Sequence, residues 1–244
     1  MNGTTIKKKF ESAYGVTANK AFKVVNPIKK KLVRTPCIVH QFINEQALEI
    51  LKLEDYDEVY LFYKELLHFL NQGAVWADQD FKSINHFFHY TEYKGLYGFS
   101  DALTLCLEYY NLSREKLDSD DLYDSIFYLG AACHLIQDST VPHHVSNKLL
   151  KQHRHFEQWI IYKVVYEEKF RHLDGIIKCE SLESCIKENA KMAYDTYLKC
   201  NNIYNIDERY DKVASSIIMR AKSTTAGVLL KFYEEEIKNK RRDK

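Results

Sequence analysis

YLGAACHLIQDSTVPHHVSNKLLKQHRHFEQW, residues Tyr128 to Trp159, decides the reading of this chain. It holds His134, His143, His144, His153 and His155, five of the ten histidines. His134 and Asp138 are four residues apart, and so are His153 and Glu157. On a helix, residues i and i+4 project from one face, so each pair offers two ligands to one point. Pro142 interrupts the run between the pairs and resets the backbone, so that His144 can point inward from a turn. Phe127, Leu129, Ala131, Ala132, Leu135 and Ile136 surround the first pair with apolar residues, which argues against a polar surface helix. Imidazole nitrogen together with carboxylate oxygen suits zinc, and no CxxC pair lies nearby to build a closed structural finger. Cys133 neighbours His134, but on a helix it points about 100° away, as a core thiol does.

Outward from this stretch the chain reads as helical. Eight glycines and three prolines in 244 residues leave little material for the tight turns of a strand-rich fold. The hydrophobic fraction of 45% is enough for a sizeable core in a single domain. A net charge of +1 gives no case for a stable nucleic-acid partner. No segment approaches the ~20 apolar residues that span a bilayer, and the N-terminus shows no apolar signal core. The expected location is therefore cytoplasmic, with peripheral membrane contact or unconventional export as the alternatives. Six scattered cysteines lack the spacing of a disulfide framework and are expected to be reduced.

Residues 1–34 are rich in lysine, with Phe10, Tyr14, Ala18, Phe22 and Val25 at helical spacings between the charges. They are expected to form a basic helical extension that either packs on the domain or touches anionic lipid. The domain proper is expected over 35–240. Its helices are predicted from Val39 through Lys52, over 55–71, after a cap at Ser100 or Asp101, from near Leu122, over 149–170, from Ser181 to about Cys200, and from Asp207 onward through Phe232. The stretch 71–90 lacks regular periodicity and reads as a loop shaped around a site. It carries Asp78, Asp80, His86 and His89, and spacing alone does not choose among them. His40, at the start of its helix, would in isolation read as a core or capping residue.

Phe127, Tyr128, Leu129, Gly130, His134, Asp138, Pro142, His144 and Asn147, followed by His153 and Glu157, resemble the core motif of the bacterial zinc-dependent phospholipases C, the catalytic-domain type also found in clostridial alpha-toxins. Gly73, Ala77 and Asp78, then His86, Phe87 and Phe88, match a second motif of that family, and His40 matches a ligand position at the head of a helix. The resemblance implies an all-α, single-domain multi-helix bundle with a metal cluster between helices. It implies two or three zinc ions held by His40, Asp78, His86, His134, Asp138, His144, His153 and Glu157. Asp78, His86, His134 and Asp138 would hold one ion and His144, His153 and Glu157 a second. His40 and Asp138 would share in a third. Asp78 is the implied general base or water-orienting group.

The implied reaction is zinc-dependent phosphodiester hydrolysis, a phospholipase C cleaving a glycerophospholipid to diacylglycerol and a phosphorylated headgroup, carried out by a monomer. The alternatives are a single-strand nuclease of the same superfamily and a non-catalytic, zinc-stabilised lipid-binding homologue. The chain departs from the family in one place. There an N-terminal Trp close before the first His completes the third site, whereas here thirty-nine residues precede His40 and the two Trp, Trp76 and Trp159, lie elsewhere. Cys37, three residues before His40, and a new N-terminus near Asn26 are two ways of completing that site.

Overall fold

The computed structural model describes residues 37–79, 85–95, 100–146 and 151–242, with the backbone alone at 151–154. The basic extension expected over 1–34 lies outside the described residues. Helix α1 spans Ile38–Leu53 and α2 spans Asp57–Ala77. Helix α3 covers Ala102–Asp118 and α4 covers Leu122–Asp138. A single turn, α5 (Pro142–Val145), leads to α6 (Lys151–Tyr166). The long helices α7 (Leu182–Cys200) and α8 (Ile206–Phe232) follow, then one π turn and the short α9 (Lys238–Arg242). No strand occurs among the described residues. The protein is all-α, as its composition and periodicity predict. No helix among them is long and apolar enough to cross a membrane.

Caps place the helix starts. Asp101, rather than Ser100, accepts from Thr104 N at 2.9 Å and opens α3. Asp121 accepts from Asp124 N at the head of α4. Ser181 and Ser184 form a reciprocal capping box at α7. The last long helix is capped by Asn205, whose side chain accepts from the amides of Asp207 and Glu208, so Asp207 sits in the first turn and does not begin the helix as expected.

Helix α4 is the axis of the bundle. Every residue from Leu129 to Thr140 is buried, and α2, α3, α7 and α8 all pack against it. Two glycines let α2 come close. A Cβ on Gly130 would fall 2.0 Å from the Leu70 carbonyl oxygen, and one on Gly73 would fall 1.7 Å from that of Phe127. This contact also corrects the expected end of α2 at residue 71. Glycine weakens a helix by about 1 kcal/mol relative to alanine, but here its missing side chain lets two backbones touch, and the helix runs through Gly73 to Ala77. Asp78 is thereby delivered at the helix end, not from a loop.

A second apolar cluster joins Phe42 and Ile43 of α1, Phe156, Ile160 and Val164 of α6, and Tyr210, Val213, Ile217 and Ala221 of α8. It fixes α6 beside α1. Helix α6 stops at Tyr166, short of the expected Phe170, and a 3-10 turn over Glu168–Arg171 replaces its last turn. The reason is Lys222, 1% exposed, whose Nζ donates to the carbonyls of Phe170 and His172 at 2.8 and 2.5 Å.

Burial pushes the Lys222 ammonium down to about 8 against the charge of Asp174. Below that pH the charge is carried in the fold at full cost. Between about 8 and the ordinary 10.5 the folded chain sheds this proton before the unfolded chain does, so the contribution of Lys222 to stability rises with pH. The stability of wild type relative to Lys222→Met is expected to rise by up to ~1.4 kcal/mol per pH unit across that window. Urea denaturation of the two proteins at several pH values measures it.

Candidate metal centre

The cluster forms where the C-terminal end of α4 meets the head of α1, the end of α2, the segment 85–90 and α5. His134 and Asp138 share one face of α4, as their spacing predicts. The 85–90 segment is clipped to α5 by backbone bonds from Phe88 N to His144 O (3.0 Å) and from Tyr90 N to Val145 O (3.2 Å). Pro142 starts α5, and the His144 ring turns inward to stack on Phe87 with centroids 5.0 Å apart.

Four imidazoles surround the Asp138 carboxylate. His86 Nδ1 lies 2.8 Å from Oδ2, His134 Nε2 3.1 Å and His144 Nδ1 3.8 Å, while His40 Nε2 lies 3.5 Å from Oδ1. His86 Nδ1 and His134 Nε2 are themselves 3.2 Å apart, and the His40 and His134 rings stack at 3.9 Å. Asp138, His86 and His134 are 4%, 1% and 1% exposed. Yet Asp138 Oδ2, His86 Nε2 and His134 Nδ1 are buried without an aligned hydrogen-bond partner. Such atoms cost on the order of 1–3 kcal/mol each unless something satisfies them.

A tetrahedral zinc with bonds of ~2.0–2.1 Å sets its donors about 3.3 Å apart. Two groups of three fit one cation each: His40, His134 and Asp138, and Asp78, His86 and His134. The buried unpartnered atoms and the nitrogen–oxygen donor set both fit zinc.

Electrostatics sort the rings. Burial, reinforced by the charge of His134, drives the His40 imidazole down to about 4, against the pull of Asp138 and Asp78. Burial also opposes a charge on His134, but the adjacent Asp138 outweighs it and leaves His134 above the ordinary value. Burial alone would raise Asp138; the charges of His144 and His134 overcome it and hold the carboxyl well below the usual range. His40 is thus neutral at pH 7, the form in which imidazole binds metal.

Gln137 was not singled out in the sequence. Its Oε1 lies 2.8 Å from His40 Nδ1, and its Nε2 donates to Asn44 Oδ1 at 2.8 Å and to Thr225 Oγ1 at 3.2 Å. Asn44 in turn donates to Asn71 Oδ1 at 2.9 Å. An amide oxygen on Nδ1 requires the proton there, so Nε2 of His40 carries the lone pair that faces Asp138. The only signal available was position, since Gln137 abuts Asp138 and Asn44 sits four residues after His40. Gln137→Leu is expected to weaken zinc binding 10–100-fold with the fold intact, measured by competition with a chromophoric chelator.

The other expected ligands divide. Glu157 is solvent-exposed on α6, and its charge reaches Cys37 at the edge of the cluster. His153 lies on α6 with its side chain outside the described residues, as do Asp80 and Asn147. His89 turns away: its Nδ1 accepts from Thr91 Oγ1 and Glu92 N within its own loop. Cys133 is a core thiol whose neighbours are apolar.

The chain belongs to the zinc dependent phospholipase C family, whose model matches residues 39–204. Among solved structures it is similar to alpha toxin from Clostridium absonum, with a TM-score of 0.69 and 20% identity over 81% of this chain and 64% of that one. It is also similar to the alpha-toxin of Clostridium perfringens isolated from avian strain SWCP, with a TM-score of 0.67 and 20% identity over 82% of this chain and 64% of that one. The likeness is one of fold, and the chain spans under two thirds of the toxins it matches. Among curated proteins none matches this sequence.

Proposed function

We propose that the chain is a zinc-dependent phosphodiester hydrolase that cleaves a glycerophospholipid to diacylglycerol and a phosphorylated headgroup. The observation that carries this reading is the convergence of His40, His86 and His134 on buried Asp138, with Asp78 grouped beside His86 and His134, in a chain of the zinc dependent phospholipase C family. Bound zinc supplies Lewis acidity toward a phosphoryl oxygen and a water activated at neutral pH. Asp78, His86 and His134 would hold one ion, and His40 with the Asp138 carboxylate would serve another. His144, next to Asp138, would serve a neighbouring position with His153 and Glu157.

Asp78 is the proposed proton acceptor or water-orienting group. It stands at the end of α2, partly exposed at the edge of the buried cluster, where a water and a phosphoryl group can approach. Burial of Asp138, His86 and His134 keeps water from the inner face of the cluster and strengthens each charge interaction there. No protein nucleophile is needed.

The test is zinc per chain by elemental analysis, together with hydrolysis of p-nitrophenyl-phosphorylcholine, mixed phospholipid micelles and single-stranded DNA by the same sample. Two or three zincs with chelator-sensitive lipid turnover are expected. Turnover of DNA alone would move the chain to a nuclease reading, and bound zinc without turnover to a non-catalytic one.

A further inference from the structure

Cys179 and Cys185 flank the start of α7. The segment that leads into this helix is fixed on α8. Ile177 N donates to Ser223 O at 3.1 Å, and a Cβ on Gly227 would fall 2.0 Å from the Ile177 carbonyl oxygen, so only glycine admits the crossing. The chain then turns through the Ser181–Ser184 capping box, and Cys185 N donates to Ser181 O at 3.0 Å. This turn brings the two sulfurs into contact, with the Cys185 thiol donating a hydrogen bond to Cys179. An apolar pair commonly staples a helix start from positions on either side of the cap. Here the two residues that meet there are both free thiols.

The two sulfurs differ in their surroundings. Cys185 is buried in the main core, whereas Cys179 packs against that core and is the one cysteine of the six that is partly exposed. Arg220 and Lys231 bear on Cys179 with positive charge, and Glu188 opposes them. The hydrogen bond from Cys185, aided by the two cations, holds the Cys179 thiol below its ordinary value in spite of burial. The same bond, together with burial, holds Cys185 well above. An accessible sulfur that ionises readily, in contact with a buried one that does not, is the arrangement in which the first attacks and the second resolves. Neither sulfur belongs to the three-donor groups of the metal centre.

We propose that Cys179 and Cys185 form a second reactive site, a dithiol that exchanges with small-molecule disulfides such as oxidised glutathione and closes to an intramolecular disulfide. Cys179 gives its proton to solvent, and the thiolate attacks one sulfur of the small disulfide. That S–S bond breaks, a mixed disulfide forms on Cys179 and one small thiolate leaves. Cys185 gives its proton to that thiolate and attacks the Cys179 sulfur. The second small thiolate leaves and is protonated from solvent. Two protein thiols are oxidised, and the small disulfide is reduced to two thiols. The new bond, ~2.05 Å long, ties the segment before α7 to the first turns of that helix. The site stands whatever the metal centre hydrolyses.

The native, fully reduced chain is incubated with oxidised glutathione in the absence of oxygen, quenched in acid, alkylated and digested with trypsin. Cuts after Lys178 and Lys187 release both sulfurs in one peptide, Cys179 to Lys187. The expected result is that this peptide becomes two hydrogens lighter and escapes alkylation, while the other four cysteines stay alkylated. Dithiothreitol is expected to restore it. Cys185→Ser is expected to stop at a glutathione adduct on Cys179, and Cys179→Ser to react at least about 10-fold more slowly than wild type. Far-ultraviolet circular dichroism checks that the helices of both variants remain, and the wild-type peptide gives the answer without them. A wild-type peptide that stays fully alkylated would overturn the proposal, and the two residues would then be a packed thiol pair only. A stable glutathione adduct on Cys179 without closure, or faster reaction at another cysteine, would overturn it equally.

Discussion

Asp138→Asn is expected to leave a helical, folded protein with at least one zinc fewer per chain and hydrolysis reduced by on the order of 1000-fold or more, about 4 kcal/mol in the barrier. The substitution changes almost no volume. It removes the one anion that His40, His86, His134 and His144 share at 2.8–3.8 Å. Two things are lost together: the carboxylate that closes the three-donor group with His40 and His134, and the field that orients four rings toward one point. The amide also brings two N–H donors against ring nitrogens, so the rings must turn away or protonate differently. Zinc content, turnover and circular dichroism on one preparation measure all three quantities. Full zinc with full turnover would take Asp138 out of the site.

Gly130→Val is expected to cost about 3 kcal/mol or more of stability, the upper range for overpacking, because the obstruction is backbone. Even the first carbon of the new side chain would lie 2.0 Å from the Leu70 carbonyl oxygen. No rotamer relieves that; α2 must move off α4. Gly73→Ala meets the same crossing from the other side, with its Cβ 1.7 Å from the Phe127 oxygen. The two sites share one interface, so the double variant should cost less than the sum of the singles. The loss should appear in metal-free protein as well, which separates it from loss of zinc. Thermal or urea denaturation of the apo forms measures it.

The motif from Tyr128 to Trp159 made the helical class and the zinc chemistry legible, because both depend on local spacing. His134 with Asp138 is a statement about one helix face, and Pro142 is a statement about one turn. The misreadings have a common cause. The helix over 55–71 is read too short, the helix over 149–170 too long, and Gln137 is passed over. Each is decided by a partner far away in sequence: Phe127 O, Lys222 Nζ and His40 Nδ1. Asn205 was overlooked for a smaller reason, since Asp207 two residues on is an equally plausible cap by type. The selection of Asp78 and His86 over Asp80 and His89 came from the family resemblance, as spacing did not distinguish them.

Helix α4 is enclosed from Leu129 to its end at Asp138, by other helices and by the cluster it carries. Nearly every substitution along it must therefore disturb packing or metal ligation, and it has little room to record a change of substrate. The freedom to diverge lies instead at the rim of the cluster, where Asp78 is partly exposed and Glu157 is exposed. The buried part of the cluster and its exposed rim are thus under different constraints. Such an architecture can alter what approaches the cluster while the buried groups beneath it stay the same.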